Sequence, residues 1–219
     1  MVKPRVAETE DGIQGEFNVR SYDAMQRRMR DRGWLETDAV IKSGITEGHA
    51  LELGPGPGYV GLEWLKKTAG TTLTGVDISP DMVALARENA AAYGFADRTE
   101  YVVSSGNDIP FDSGTFDAAF TTGSMHEWAE AEATFEELWR VLRPGGRLFI
   151  SDLRRDMNRL IRWFISINAK PDVMRQGFNT SVNASYTPKE LRELIAGTSL
   201  RGCVVTGNPV GLRLAGVKP

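Results

Sequence analysis

The chain has 219 residues, with 26 Lys and Arg against 29 Asp and Glu, for a formal net charge of −3. Its composition, 41% hydrophobic and 25% charged, fits an ordinary soluble globular protein with a full core. No run approaches the roughly eighteen apolar residues of a membrane span, so no membrane association is expected. The acidic balance argues against a dedicated nucleic-acid binder. The one cysteine, Cys203, excludes an intrachain disulfide and, with no signal-peptide apolar region at the N-terminus, points to a cytoplasmic setting. It lies in the apolar run Cys203-Val-Val and reads as a structural thiol. Two histidines, His49 and His126, make no metal cluster, and metal independence is expected.

Taken in chain order, residues 1–15 are polar and glycine-containing and are expected to be disordered. The stretch to 43 spaces Tyr22, Met25, Met29, Trp34 and Leu35 at loosely helical intervals, with five arginines against Asp23 and Asp31. Residues 1–43 thus form an N-terminal tail and helical lid segment. From 44 to 152, short apolar runs alternate with helical patterns, the mark of βαβ units and a parallel sheet. Ser79-Pro80 offers an N-cap followed by proline at the first helical position. Phe135, Leu138, Trp139 and Leu142 share another helix face, stopped by Pro144-Gly145-Gly146. Residues 153–186 read as an insert, helical over Leu160–Ile167 and then looser and polar. Over 187–219, Thr187-Pro188-Lys-Glu opens a short helix, and two strands follow, Cys203–Thr206 and Gly211–Ala215, joined by Gly207-Asn208-Pro209.

The most informative segment is Ala50-Leu-Glu-Leu-Gly-Pro-Gly-Pro-Gly58, followed by a helical stretch and by Leu73-Thr-Gly-Val-Asp77. Glycines at 54, 56 and 58 let the backbone turn sharply and approach a ligand closely. The helix after them aims free N–H groups at whatever lies in the turn. Asp77, ending the second apolar run, suits a pair of ribose hydroxyls. The whole strand–turn–helix–strand–acid unit points to a nucleoside cofactor.

Dinucleotide sites usually space their glycines G-x-G-x-x-G, whereas these alternate and follow Glu52. The segment resembles motif I of the class I S-adenosylmethionine-dependent methyltransferases. The resemblance extends through Thr74-Gly-Val-Asp-Ile-Ser-Pro-Asp-Met82, Ile109-Pro-Phe-Asp-Ser-Gly-Thr-Phe-Asp117 and Leu138-Trp-Arg-Val-Leu-Arg-Pro-Gly-Gly-Arg-Leu-Phe-Ile150. It covers about 48–152, and the group it suggests is the small-molecule, UbiE/type-11-like one. It implies a Rossmann-like α/β fold: a doubly wound, mainly parallel seven-stranded sheet ending in an antiparallel hairpin, with a helical lid. It also implies S-adenosyl-L-methionine as cofactor and S-adenosyl-L-homocysteine as product, and an in-line SN2 transfer of the methyl group. Residues 44–152 are then the cofactor core, 153–186 a substrate lid, and 187–219 its completion.

The cofactor residues implied are Glu52, Gly54, Pro55, Gly56, Gly58, Asp77, Ile78, Ser105, Gly106, Asn107, Asp108 and Thr122. One departure stands out. Members often place an acid for the adenine amino group where this chain has Ser105, which keeps a hydrogen bond without the charge. Asp108 is the alternative if the loop is shifted. Beyond the fourth strand, Thr121-Thr-Gly-Ser-Met-His126-Glu127-Trp128 lies where open α/β sheets bind ligands. His126 is a candidate base or substrate binder, or it only secures the loop. Glu127 reads as a solvated acid and Trp128 as packing. Tyr22 and Tyr186 are candidate pocket residues of the two lid segments, against ordinary packing. Arg154, Arg155, Arg159 and Arg162 either receive an anionic substrate group or form a solvated face paired with Asp152 and Asp156.

The preferred reading is a methyltransferase for a small-molecule acceptor, with a homodimer possible through the insert. Two alternatives stay open: an RNA or protein methyltransferase that uses the arginine-rich N-terminal segment, and a non-catalytic S-adenosylmethionine-binding protein.

Overall fold

The computed structural model describes residues 4–6, 13–168 and 172–219. Seven strands form one sheet: β1 (His49–Leu53), β2 (Thr72–Asp77), β3 (Thr99–Val103), β4 (Phe116–Thr122), β5 (Leu142–Leu153), β6 (Val204–Gly207) and β7 (Gly211–Val217). Their order is β3-β2-β1-β4-β5-β7-β6. The first five are parallel, and β7 runs antiparallel to both β5 and β6. Strand order reverses between β1 and β4, the switch point where an open α/β sheet leaves a crevice beyond its carboxyl ends.

The helices are α1 (Glu16–Asp31), α2 (Thr37–Lys42), α3 (Tyr59–Lys67), α4 (Pro80–Tyr93), α5 (Ala131–Val141), α6 (Arg159–Asn168), α7 (Asp172–Ala184) and α8 (Pro188–Ile195). The sheet is buried against two apolar clusters. One gathers Phe135, Leu138 and Val141 of α5 with Leu191 and Ile195 of α8. The other gathers Leu62, Trp64 and Leu65 of α3 with Val83, Ala86 and Ala90 of α4. Trp64 is fully buried, and its indole N–H donates to the Ile45 carbonyl at 2.8 Å, as a buried ring nitrogen must find an acceptor.

Local chemistry sets the element ends. Ser79 Oγ accepts from the Met82 amide at 3.2 Å, with Pro80 in the first turn of α4. Gly94, at φ +73°, ends that helix. Thr187 and Glu190 form a reciprocal capping box on α8.

Three sequence expectations change. Pro144-Gly145-Gly146 does not separate α5 from a strand: β5 starts at Leu142, directly after the helix, and the β4–β5 register jumps between Phe116 and Ala118 to take up the extra residues. The polar end of the insert is helical, because Asn179 and Asn183 of α7 bond to Arg162 of α6 at 3.1 and 2.9 Å. The expected N-terminal disorder fails wherever this stretch is described; residues 1–3 and 7–12 lie outside the described residues. Arg5 donates to the Ala184 carbonyl at 2.5 Å and the Val6 amide to Asn183 at 3.2 Å. The Ile13 carbonyl accepts from Ser79 Oγ at 2.7 Å.

Helix α1 is tied down over α3 and α4. Asp23 accepts from Tyr59 Oη at 2.8 Å and pairs with Arg27 at 2.9 Å, and Arg30 donates to Tyr93 Oη at 3.1 Å. This lays the Tyr22 ring against the glycine turn.

Candidate cofactor and acceptor site

The turn between β1 and α3 holds Gly54, Gly56 and Gly58 at φ +65°, +54° and +86°, backbone that side-chain-bearing residues rarely adopt. A Cβ on Gly54 would lie 2.8 Å from Ser124 Cβ, and one on Gly56 would lie 3.3 Å from the Tyr22 ring. The carboxylate of Asp77 fastens the turn to β2: Oδ2 accepts from the Gly56 amide and Oδ1 from the Ser79 amide, each at 2.9 Å. Burial raises its pKa, and the backbone bonds oppose that.

Glu52 stands behind the turn. It is buried, and its carboxylate accepts from the Gly61 amide at the start of α3, an orphan donor of that helix. Its Oε2 has no hydrogen-bond partner. Burial, and then nearby Asp77, hold its pKa well above the usual carboxylate range. Pro55 packs behind the turn next to Gly75, and Gly58 lies against Tyr101 Oη. Glu52, Pro55 and Gly58 therefore shape the turn, while Gly54, Gly56, Asp77 and Ile78 line the cleft itself.

The far wall follows β3. Ser105, Gly106 and Asn107 line the cleft, and Asn107 Nδ2 donates to Glu130 at 2.9 Å. A Cβ on Gly106 would crowd Thr134 and Leu53, at 3.0 and 3.1 Å. Asp108 is exposed and is not among the cleft-lining residues; its carbonyl accepts from Ser104 Oγ at 2.7 Å. The loop is not shifted to bring the acid in. Thr122 ends β4 away from the lining, which passes instead to Gly123 and Ser124. Trp128 both lines the cleft and packs edge-on to Phe135 at 5.7 Å.

On the opposite side, the Met125–Glu127 turn brings His126 to the end of β5, where it is buried behind Glu127 and is not itself among the cleft-lining residues. Its Nδ1 lies 2.9 Å from Asp152 Oδ1, and its backbone N–H donates to Asp152 Oδ2 at 2.7 Å. Asp152 also accepts from the Leu153 amide at 2.7 Å. An ionised carboxylate only accepts, so Nδ1 carries the hydrogen and Nε2 is the basic nitrogen. Nε2 lies 3.9 Å from Glu127 Oε1, and Glu127 lines the cleft rather than standing in open solvent. Tyr22 also lines it. Its phenol is pushed up to about 12, first by burial and then by Glu127, with Gln26 opposing. Tyr186 is not among the cleft-lining residues: the Arg5 guanidinium sits 4.4 Å above its ring, and Arg5 also donates to the His126 carbonyl at 3.1 Å.

The arginines of the insert pair only in part as expected, Arg154 with Asp156. Asp152 is taken by His126, not by them. Arg154 bonds Asp156 at 2.6 Å. Arg155 is buried and is held by Glu190 and the Ser185 carbonyl, and Arg162 ties α6 to α7. Sequence reasoning missed Asp152 as the partner of His126. Its signal was a lone acid at the carboxyl end of the fifth strand, the place where such sheets carry functional groups. Arg5 and Ile13 left no comparable signal.

Residues 51–150 match the family model described as a methyltransferase domain. Among curated relatives, the ubiquinone/menaquinone biosynthesis C-methyltransferase UbiE of Geotalea daltonii is 31% identical over 133 residues, covering 59% of this chain and 57% of that one. The demethylmenaquinone methyltransferase of Thermus thermophilus is 35% identical over 132 residues, covering 59% of each. The chain thus spans less than three fifths of the length of these relatives. A solved protein from Methanococcus maripaludis, described as an S-adenosyl-L-methionine-dependent methyltransferase, shares the fold at TM-score 0.76 and 20% identity, covering 97% of each chain.

A doubly wound sheet, a glycine turn at its switch point and an acid closing β2 are features this chain shares with the class I S-adenosylmethionine-dependent methyltransferases, and the methyltransferase-domain match falls on the segment that carries them. Among the relatives it resembles, UbiE-type C-methyltransferases recur. The residues fit the cofactor. The glycine turn leaves space where any Cβ would intrude, and two Asp77 oxygens, each already accepting one backbone N–H, keep acceptor capacity for hydroxyls.

Proposed function

We propose that the chain methylates a small organic acceptor held in the cleft between Tyr22 and Glu127, with the buried His126–Asp152 pair directly behind Glu127. When bound, S-adenosylmethionine supplies a methyl group on a sulfonium, already activated toward a nucleophile. The chain's part is to hold the two reactants in line, which removes much of the barrier through orientation. Gly54, Gly56, Asp77, Ile78 and Ser105–Asn107 hold the cofactor. Ser105 meets the adenine side in place of an acid.

The observation that carries the reading is the buried His126–Asp152 pair beside the cleft. An acceptor that arrives protonated, such as a phenol, an enol or a reduced quinone ring, gives its proton to His126 Nε2 by way of the cleft-lining Glu127, 3.9 Å from that nitrogen, and the Asp152 carboxylate orients the ring. The carboxylates of Asp77 and Glu127 favour a cationic cofactor. The quinone-methylating names of the relatives support an acceptor of this cyclic, acidic class. The N-terminal arginines give the macromolecular alternative little support: Arg20, Arg27 and Arg30 are paired with Glu16, Asp23 and Asp31.

The test is titration calorimetry with S-adenosylhomocysteine, followed by radiolabelled methyl transfer to a panel of phenols and hydroquinones. Binding with transfer to a panel member is the expected result. Absence of product binding refutes the cofactor site. Binding with transfer only to RNA or protein, steeply weakened by salt, refutes the small acceptor.

A further inference from the structure

Helix α6 leaves an apolar stripe uncovered. Polar groups hold much of its inner face, beside the half-buried Ile161 and Ile165: Arg162 donates to Asn179 and Asn183 of α7 at 3.1 and 2.9 Å, and Asn179 donates to Ser166 Oγ at 2.9 Å. Four apolar residues face outward. Leu160 is 76% exposed, Trp163 61%, Phe164 62% and Ile167 41%. Positions i, i+3, i+4 and i+7 share one face of a helix, so these side chains make a continuous stripe. A helix that leaves so continuous an apolar stripe uncovered is organised for something beyond the protein's own core.

Charge points to the occupant. Residues 157–186 contain four basic residues, Arg159, Arg162, Lys170 and Arg175, against one acid, Asp172. The remainder has 22 basic against 28 acidic. A locally cationic segment on an acidic protein, with Trp, Phe, Leu and Ile on its outer face, has the chemistry of a helix lying in the interface of an anionic bilayer. A second copy of the chain fits less well: one face of a ten-residue helix offers far less than the about 800 Å² per partner that a stable protein interface buries.

We propose that α6 docks this protein on an anionic lipid surface, with Leu160, Trp163 and Ile167 entering the headgroup boundary and Arg159 meeting lipid phosphates. Helix α7, which α6 covers, packs on the Met125–Glu127 turn, so docking sets the acceptor side of the cleft close to the membrane. Docking through α6 does not depend on which acceptor the cleft takes.

The test is flotation of the full chain with vesicles of equal phosphatidylcholine and phosphatidylglycerol, against phosphatidylcholine alone. The wild type is expected to float with the anionic vesicles. A Leu160→Ser, Trp163→Ser double variant, and separately Arg159→Glu, are expected to partition at least about tenfold less with S-adenosylhomocysteine affinity unchanged. Flotation equal in the double variant, or none in the wild type, overturns the proposal. So does a dimer in sedimentation equilibrium that the double variant dissociates. Vesicle binding by a chain that fails to bind S-adenosylhomocysteine leaves this proposal standing and refutes the methyl-transfer reading instead.

Discussion

Gly61 and Gly177 both sit inside helices, yet alanine is expected to have opposite effects at the two positions. In α3, a Cβ at Gly61 would lie 2.2 Å from Glu52 Oε2 and 2.4 Å from Leu73 Cδ2. Both neighbours are buried, Glu52 at 2% and Leu73 at 1% exposure, so neither side chain can swing into solvent. Overpacking of this kind costs about 1–3 kcal/mol. Displacing the Glu52 carboxylate from the Gly61 amide adds about 1–3 kcal/mol for a buried group left unpaired. Against this, alanine gains about 1 kcal/mol of helix propensity. The net loss is about 1–5 kcal/mol, which at about 2–4 °C per kcal/mol for a chain of this size lowers Tm by roughly 2–20 °C. In α7, a Cβ at Gly177 meets nothing within 4 Å, so Gly177→Ala should stabilise by about 0.5–1 kcal/mol. Thermal and urea unfolding followed by circular dichroism measures both. A Gly61→Ala protein as stable as the wild type would refute the assigned role of Glu52 behind the turn.

Other expectations follow from the same site. Asp77→Asn keeps the shape but must aim an amide N–H₂ at either the Gly56 or the Ser79 amide, so S-adenosylhomocysteine affinity should fall by about tenfold or more; calorimetry giving an unchanged Kd would contradict the site. Glu52 and Asp77 both titrate above their ordinary values of 4.5 and 3.8. The stability they contribute is therefore full below those values and declines as pH rises through them toward the raised folded pKa values. Glu52→Gln should accordingly gain on the wild type between pH 4 and 7, and urea midpoints that run parallel across that range would refute this. Asp152→Asn should leave S-adenosylhomocysteine binding intact, shift the hydrogen on the His126 ring as read by nitrogen NMR, and slow methyl transfer by about a hundredfold. An unchanged tautomer would remove Asp152 as the residue that positions His126.

Much of this molecule was legible in the chain alone. Glycines at alternate positions, an acid closing the next apolar run, and proline and glycine at helix ends are local signals. They record backbone conformations that few other residues adopt, so the cofactor half can be read residue by residue. Even there, the sequence could not say that Glu52, Pro55 and Gly58 build the turn from behind while Gly54, Gly56 and Asp77 face the cleft. That division depends on how β1, β2 and α3 pack.

The acceptor side is different in kind. His126 and Asp152 are 26 residues apart and meet only because β4 and β5 are neighbours in the sheet. Arg5 reaches the His126 carbonyl across 121 residues. The choice between Ser105 and Asp108 rested on the course of one loop, and the choice between paired and free arginines rested on Glu190 and Asn179 arriving from other helices. Composition and periodicity are properties of neighbours along the chain, and they fixed the glycine turn and its acid. Contacts closed over long loops are properties of the folded sheet. Only the fold brought His126 to Asp152 and left an apolar stripe of α6 uncovered.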